Sequence, residues 1–491
     1  MVPNGGFMST INVIPPEPRR WVMFAILLVG AFLPPLDFFI VNVALPSIQS
    51  DLGSSSSAGQ LVISSYAAIY AVTLITGGRL GDLYGRGRMF FLGLTGFAIA
   101  SLLCGFAWSP WALIAGRILQ GVTAAIMAPQ ALASVQAIFP ETEKPLALSL
   151  YGAVFGLASV IGQALGGILI SLDVFGAGWR AIFLVNIPVA LLVIVFGIPL
   201  LKETRAKNAR KIDPGGMLLS VVTLSALIVP LIEGREAGWP WWTWLSFIAV
   251  PLLAYLFWRY EARLGQKGGS PLLDPAVLHA AGLGRALTVT LMFYAIGAFF
   301  LLFTIYLQSA LHKSALSAGL VFLPFGAGYL LGPLMTPYLR RFLGNYITPV
   351  GMGLETAGLT GLAWLITATA SGELPPALPL AMLLFIIGIG QGLALPTLMR
   401  MVTGCVTPAY SGMIAGVASS TLQISTALSV AVIGGIFYTV LGGSNTAEDV
   451  THAFIVAILC IAFCLAIGSG VGITLARQLA DASSIKERAF H

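Results

Sequence analysis

The sequence predicts an all-α integral membrane protein with 14 transmembrane helices, arranged as two six-helix bundles plus a two-helix insert. Three observations carry this. Apolar residues make up 57% of the chain and charged residues only 9%, against about 25% charged in soluble proteins. The mean hydropathy is +0.93 over the whole length, and the apolar residues fall in runs of about 20, the length of one membrane-spanning helix. Lys and Arg gather between alternate runs, as they do on the cytoplasmic side of membrane proteins. An outer-membrane barrel is excluded, because its strands would alternate apolar and polar residues.

The elements follow in order. Residues 1–20 end in Pro15-Pro16-Glu17-Pro18-Arg19-Arg20 and hold no apolar core of signal-peptide length, so they read as a cytoplasmic tail and the first apolar segment is expected to stay as a helix. Spanning segments are predicted near 21–46, 58–78, 89–107, 110–138, 146–171 and 180–201, which form an N-terminal bundle over 21–201. A basic stretch from Lys202 to Lys211 opens a linker and insert over 202–284, with spans near 214–233 and 239–258. Six further spans near 285–309, 315–338, 346–370, 377–402, 411–440 and 451–476 form a C-terminal bundle over 285–476, and 477–491 is a second tail.

Charge placement tests this count. With the N-terminus in the cytoplasm, every Lys and Arg falls on the cytoplasmic side except Arg117, Arg180, Arg235 and Lys313, and a shift by one helix would invert the bias. Both termini are therefore expected in the cytoplasm. The net charge of +6 then reports topology, and no nucleic-acid partner is expected. The four cysteines lie in or beside apolar segments without a CxxC pair and read as packing residues. His279, His312, His452 and His491 are not paired at metal-ligand spacing, so no metal is expected. Trp239, Trp241, Trp242 and Trp244 read as an interfacial aromatic belt.

Two six-helix halves suggest internal duplication, the plan of secondary transporters that rock two bundles about a midplane site. Gly78-Arg79-Leu80-Gly81-Asp82-Leu83-Tyr84-Gly85 after the second helix has a counterpart in Pro337–Gly344 after the tenth, and Gln120-Gly121 of the fourth helix has one in Gln391-Gly392 of the twelfth.

The residues least suited to lipid carry the functional prediction. A charge at a helix centre costs about 2.5–3.5 kcal/mol on the insertion scale and therefore faces a cavity or a partner. Asp37, Arg117 and Glu355 are the charges that stand well inside segments, and each is a candidate proton or substrate site. Pro34 and Pro35 interrupt the backbone ladder just before Asp37. Asp173, Asp213 and Glu233 fall at segment ends and read as interfacial.

Three patterns add a resemblance. Gly78-Arg79-Leu80-Gly81-Asp82-Leu83-Tyr84-Gly85-Arg86-Gly87-Arg88 resembles the signature loop of the major facilitator superfamily. Gly78, Asp82, Gly85, Arg86 and Arg88 are then expected to form a cytoplasmic latch, with Asp82 accepting from a helix N-terminus and from Arg88. Leu113–Gly121 is similar to that superfamily's fourth-helix pattern, whose arginine is associated with proton coupling, and Leu36–Pro46 is similar to the first-helix pattern of its fourteen-helix drug:proton antiporters, with Phe39 where Thr is common. The fifth-helix antiporter pattern departs at Gln163, which stands in place of a proline. We expect Gln163 to offer a polar side chain to the cavity.

The resemblance implies a multi-pass protein of the bacterial plasma (inner) membrane. It implies export of lipophilic, cationic compounds by alternating access, with proton and cargo competing for Asp37. The proton is the coupling ion and no cofactor is expected; a periplasmic adaptor is not specified. Phe38, Phe39, Met292, Phe293, Tyr294, Phe299 and Tyr306 are the expected cavity residues that would hold cargo by burial and cation–π contact. The alternative is proton-coupled transport of a specific metabolite such as an amino acid, sugar or siderophore. An enzyme is not expected, because HExxH, GxSxG and GxxxxGK[ST] are absent.

Overall fold

The computed structural model describes residues 19–489 except 141–142, 202, 204–211, 274–276, 278–279, 371, 407–410 and 444–445. The N-terminal tail up to residue 18, most of the basic stretch at 202–211, His279 and His491 thus lie outside the described residues. Everything regular in the described chain is helical. The first six crossings are α1 (Arg20–Leu52), α2 (Ser56–Tyr84), α3 (Arg86–Gly105), α4 (Pro110–Ile138), α5 (Lys144–Leu172) and α6 (Gly178–Gly197). The insert is α7 (Pro214–Glu236) and α8 (Trp241–Gln266). The last six are α9 (Leu283–Ala310), α10 (Leu323–Leu343, preceded by the short helix Ala315–Val321), α11 (Ile347–Thr367), α12 (Ala377–Gly404), α13 (Ser411–Leu441) and α14 (Ala447–Ala489). Among the described residues, 13 segments are long and apolar enough to span, and one of these, Ala315–Thr367, runs for 53 residues. At 1.5 Å per residue this is about twice a bilayer. A turn at Gly344–Tyr346, where Gly344 takes φ 54°, divides it into α10 and α11, which restores the expected 14 crossings.

Local chemistry sets the helix ends. The Ser55 and Ser314 side chains accept from the amides of Ala58 and Ser317, each at 3.2 Å, and so cap α2 and the short helix before α10. Large apolar side chains such as Leu92, Trp364 and Phe463 stay exposed on the outside of the bundle, as expected where lipid is the solvent. Two of the close helix crossings, at equivalent places in the two halves, exclude any side chain at the contact. A Cβ on Gly121 of α4 would lie 2.8 Å from the Tyr66 carbonyl oxygen of α2, and one on Gly392 of α12 would lie 2.6 Å from the Tyr329 carbonyl oxygen of α10. The two halves therefore repeat the same crossing with the same Gln-Gly dipeptide.

We call the end of the bundle that carries Arg86, Arg263, Arg285, Arg340, Arg341 and Arg400 the basic end, and the other the far end. Helix α7 of the insert lies against α2 and α13, and α8 packs on α7. The insert is anchored at its basic end by two buried carboxylates. Asp213 accepts from the Gly216 amide and the Tyr260 hydroxyl, both at 2.9 Å, and from the Leu272 amide at 3.3 Å, while Glu261 accepts from the Leu273 amide at 2.9 Å. Arg79 of α2 donates to the neighbouring carbonyls of Ser270 and Pro271. Asp213 is thus a buried structural acceptor and not the interfacial side chain the sequence suggested, because the segment after α8 folds back over it.

Candidate functional site

The intramembrane charges meet inside the first half. Asp37 on α1 and Arg117 on α4 are both fully buried, and Arg117 Nη1 donates to Asp37 Oδ2. Gln120, one turn along α4, donates to Asp37 Oδ1 at 3.1 Å, and Asn186 of α6 donates to the same oxygen at 3.2 Å. Ser101 of α3 accepts from Gln120 and Asn186 at 2.9 and 3.3 Å, and Arg117 Nε donates to the Val62 carbonyl at 3.0 Å. Helices α1, α4 and α6 therefore meet at one carboxylate, and α2 and α3 hold its partners in turn, as a charge in low dielectric requires. The guanidinium of Arg117 also lies 4.2 Å over the Tyr66 ring, whose hydroxyl donates to the Pro34 carbonyl at 3.2 Å. Gln120, Asn186, Ser101 and Tyr66 were not singled out as site residues from the sequence.

The second half holds an uneven copy. Glu355 of α11 is fully buried, and the Gln391 amide nitrogen, once the amide is turned to donate, lies 3.1 and 3.2 Å from its two oxygens. Gln120 and Gln391, the repeat glutamines, thus each hold a buried carboxylate. The position that Arg117 occupies three residues before Gln120 is Gly388 three residues before Gln391. A Cβ on Gly388 would fall on the Phe325 carbonyl, so that crossing has no room for a guanidinium.

A constricted cavity of about 40 Å³ lies between the halves. Pro34, Pro35, Phe38, Phe39, Tyr66, Tyr70 and Phe155 form its wall in the first half, and Tyr294, Gly297, Phe300, Tyr329, Gln391, Gln423 and Thr426 form the wall in the second. Of the expected cavity residues, Phe38, Phe39 and Tyr294 border this cavity. Met292 instead packs toward Gly468 of α14, Phe293 is buried in the core, and Phe299 and Tyr306 belong to a ring stack with Phe303 and Phe454. On α9, Tyr294, Gly297 and Phe300 border the cavity; the helix has a three-ten turn at Tyr294–Ile296 and a π-turn at Tyr306–Ala310. No side chain in the wall is charged: Asp37 lies behind Tyr66, and Glu355 behind Gln391.

The halves touch from mid-membrane to the far end. A Cβ on Gly167 of α5 would lie 2.6 Å from the Ala315 carbonyl oxygen and 2.8 Å from the Leu316 nitrogen, and one on Gly156 would lie 2.8 Å from Leu330 Cα. Ser420 of α13 donates to the Ala71 carbonyl of α2 at 2.7 Å, and Gln308 of α9 donates to the Val43 carbonyl of α1 at 2.9 Å. Gln163 lies in the α5–α10 seam, its carbonyl against Gly319, and is buried with neither amide atom paired among the described residues. It does not border the cavity.

The profile of the Major Facilitator Superfamily matches residues 27–430. The chain belongs to this superfamily. A probable actinorhodin transporter of Streptomyces coelicolor is 35% identical over 88% of the chain and 75% of its own length. A puromycin resistance protein of Streptomyces alboniger is 36% identical over 89% and 85%. The solved structure of a bacterial homologue of human drug peptide transporters superposes with a TM-score of 0.68 at 14% identity, covering 94% of this chain and 99% of that one, a likeness of fold alone. The protein is thus a multi-pass membrane transporter and not an enzyme.

The superfamily loop between α2 and α3 departs in two respects from expectation, in the partner of Asp82 and in the acceptor at the α3 N-terminus. Asp82 accepts from Arg86 at 3.1 Å, and Arg86 also donates to the Ala133 carbonyl of α4 at 2.9 Å. The α3 N-terminus is instead taken by Glu203, which accepts from the amides of Gly87 and Arg88, each at 3.1 Å, and lies 3.7 Å from Arg88 Nε. A carboxylate at a helix N-terminus is the stabilising arrangement. Gly85, at φ 109°, provides the turn that points both amides at it. Gly78 meets only ordinary contact, with Pro129.

Proposed function

We propose that this transporter is a proton-coupled exporter of lipophilic compounds in the bacterial plasma membrane, with both termini and the basic end in the cytoplasm. The Lys and Arg distribution supports that orientation, and the names of the relatives support export of antibiotic-like compounds. Residues 21–201 and 285–476 are the two moving bundles, 202–284 is linker and insert, and 1–20 and 477–491 are tails. With the seam closed at the far end, the state described is closed to the outside.

The observation that carries the coupling is the position of Tyr66, at once part of the cavity wall, the ring beneath Arg117 and the donor to Pro34. Both Asp37 oxygens are occupied, so cargo and proton compete indirectly. A proton on Asp37 removes the charge that holds Arg117, the guanidinium shifts on Tyr66, and the wall formed by Tyr66 and the Pro34–Pro35 break moves with it. Cargo pressing on the same wall favours the deprotonated pair. Glu355, joined to the wall through Gln391, is a second proton site, and Gln163 in the seam finds partners when the halves part. No cofactor enters; the proton is the coupling ion. The test is drug efflux from proteoliposomes under an imposed pH gradient, with wild type, Asp37→Asn and Tyr66→Phe. Gradient-driven movement is lost in Asp37→Asn and weakened in Tyr66→Phe; movement unchanged in Asp37→Asn rejects the coupling. A panel of amino acids and sugars in the same vesicles separates the metabolite alternative.

A further inference from the structure

We infer that the basic end of the second half holds a site for a phosphate group, carried either by an anionic lipid headgroup or by free phosphate. A second cavity, of about 230 Å³, lies there between α10, α12 and α14. Arg340, Gly344 and Asn345 line it from the end of α10 and the turn that follows, and Arg400 and Gly404 line it from the end of α12. A Cβ on Gly344 or Gly404 would meet nothing within 4 Å, so the space is open where these two residues stand.

The internal repeat shows what this junction lacks. In the first half the same junction is clamped by the chain's own charges. Arg86 donates to Asp82 at 3.1 Å and to the Ala133 carbonyl of α4 at 2.9 Å, and Glu203 brings a second carboxylate to the amides of Gly87 and Arg88. The register is set by Gly78–Gly85 with Pro337–Gly344 and by Gln120 with Gln391. It puts Asn345 in the place of Arg86, Gly404 in the place of Ala133 and Arg341 in the place of the acid Asp82. Arg340 and Arg400 stand where the first half has Gly81 and Pro129. Three guanidiniums thus replace a self-neutralised pair, and among the described residues no carboxylate pairs with Arg340, Arg341 or Arg400.

Arg340 and Arg400 repel one another, and an anion between them turns that repulsion into two attractions. Each guanidinium can give a phosphate a two-pronged hydrogen bond. A phosphate has oxygens on several sides and can meet arginines from two helices at once, whereas a carboxylate presents one edge. At about 30 Å³ per water, the space admits a phosphate together with several waters. Tyr338 and Phe342, exposed and edge to face at 5.7 Å on the same stretch of α10, form the kind of aromatic pair that sits at headgroup level, where lipid phosphates come within reach of basic pockets between helices.

The test is equilibrium binding to the purified full chain, in neutral detergent and phosphate-free buffer, of three radiolabelled probes: inorganic phosphate, dihexanoyl phosphatidylglycerol and dihexanoyl phosphatidylcholine. One anion at least should bind saturably, and phosphatidylglycerol should bind at least tenfold tighter than phosphatidylcholine if the source is a lipid. Phosphatidylglycerol that inorganic phosphate does not displace identifies the headgroup as the source; displacement at similar concentration identifies the free anion. Arg340→Gln and Arg400→Gln should each weaken binding at least tenfold, the effect of one hydrogen-bonded charge, while Arg259→Gln, at an exposed position on α8 outside the cavity, should leave it unchanged. The inference is overturned if neither anion binds saturably, if phosphatidylcholine matches phosphatidylglycerol and phosphate does not bind, if binding survives both cavity variants, or if Arg259→Gln weakens it as much as they do. The probe comparisons use wild type alone and stand whatever happens to the variants. Without anion, Arg400→Gln should melt no lower than wild type, since it strips no partner and relieves the repulsion; a lower melting temperature would show that Arg400 already has a counter-charge within the chain and would also overturn the site.

Discussion

Gly167→Ala tests whether the α5–α10 seam is a moving surface. The added Cβ would lie 2.6 Å from the Ala315 carbonyl oxygen and 2.8 Å from the Leu316 nitrogen. These are backbone atoms and cannot swing aside like a side-chain tip. The nearest atom, Leu316 Cα, would lie at 2.5 Å, so restoring ordinary contact at about 3.4 Å requires the seam to open by about 0.9 Å. Overpacking of this kind costs about 1–3 kcal/mol. The gain in helix propensity from Ala, about 0.5–1 kcal/mol, is the same in any state that keeps α5 helical and cancels. The whole cost therefore weighs against the far-end-closed state, a shift of about 5- to 150-fold in population. Spin labels at the exposed far-end positions Phe175 and Ser314, measured by pulsed electron–electron resonance, should show a short-distance population in wild type that gives way to a longer one in Gly167→Ala. Identical distance distributions would refute the claim that this seam sets the conformational balance.

Three further outcomes are expected. Asp37→Asn leaves the buried Arg117 without its counter-charge and should destabilise the protein by about 3–5 kcal/mol; adding Arg117→Gln should recover most of the melting temperature while gradient-driven transport stays lost, and a double variant as unstable as the single one would contradict the pairing. Arg20 donates to both oxygens of Glu143 at 2.8 and 2.6 Å and holds that carboxyl below its ordinary range, so the pair adds stability above the unfolded value of about 4.3 and loses it as pH falls through the folded one. Glu143→Gln should therefore melt below wild type at pH 7, converge with it near about pH 3 and leave the pH profile of transport between about 6 and 8 unchanged; a melting gap that persists in acid counts against it. Asp213→Ala strips the acceptor from Gly216, Tyr260 and Leu272, at about 1–3 kcal/mol for each buried donor left unpaired, and should open the segment around Leu272 to proteolysis; unchanged cleavage would show that this carboxylate anchors nothing.

The spans were legible because hydropathy and charge placement act over 20 residues at a time, and local irregularity does not blur them. Asp37, Arg117 and Glu355 were legible because a charge in lipid is conspicuous. Asn186 and Ser101 were not, since a neutral polar group inside a helix costs little and occurs for many reasons. Phe299 and Tyr306 invite a cavity reading by aromatic type alone; every residue from Gly297 to Ile305 is buried, so no polar stripe in the sequence tells the face that meets the cavity from the faces that meet other helices. Glu203 escaped notice because its role depends on the linker folding back onto α3, a contact 116 residues from Gly87 in the chain.

The glycine at 388 has a consequence for how such a machine can be built from one repeat. A chain made of two first halves would bury an Asp–Arg ion pair on each side, but only if the close crossing at Phe325 opened to admit a second guanidinium. A chain made of two second halves would bury two carboxylates, each facing an amide in place of a cation. One glycine in place of an arginine thus makes the two copies electrically unlike, one buried charge balanced by a cation and the other by a neutral amide.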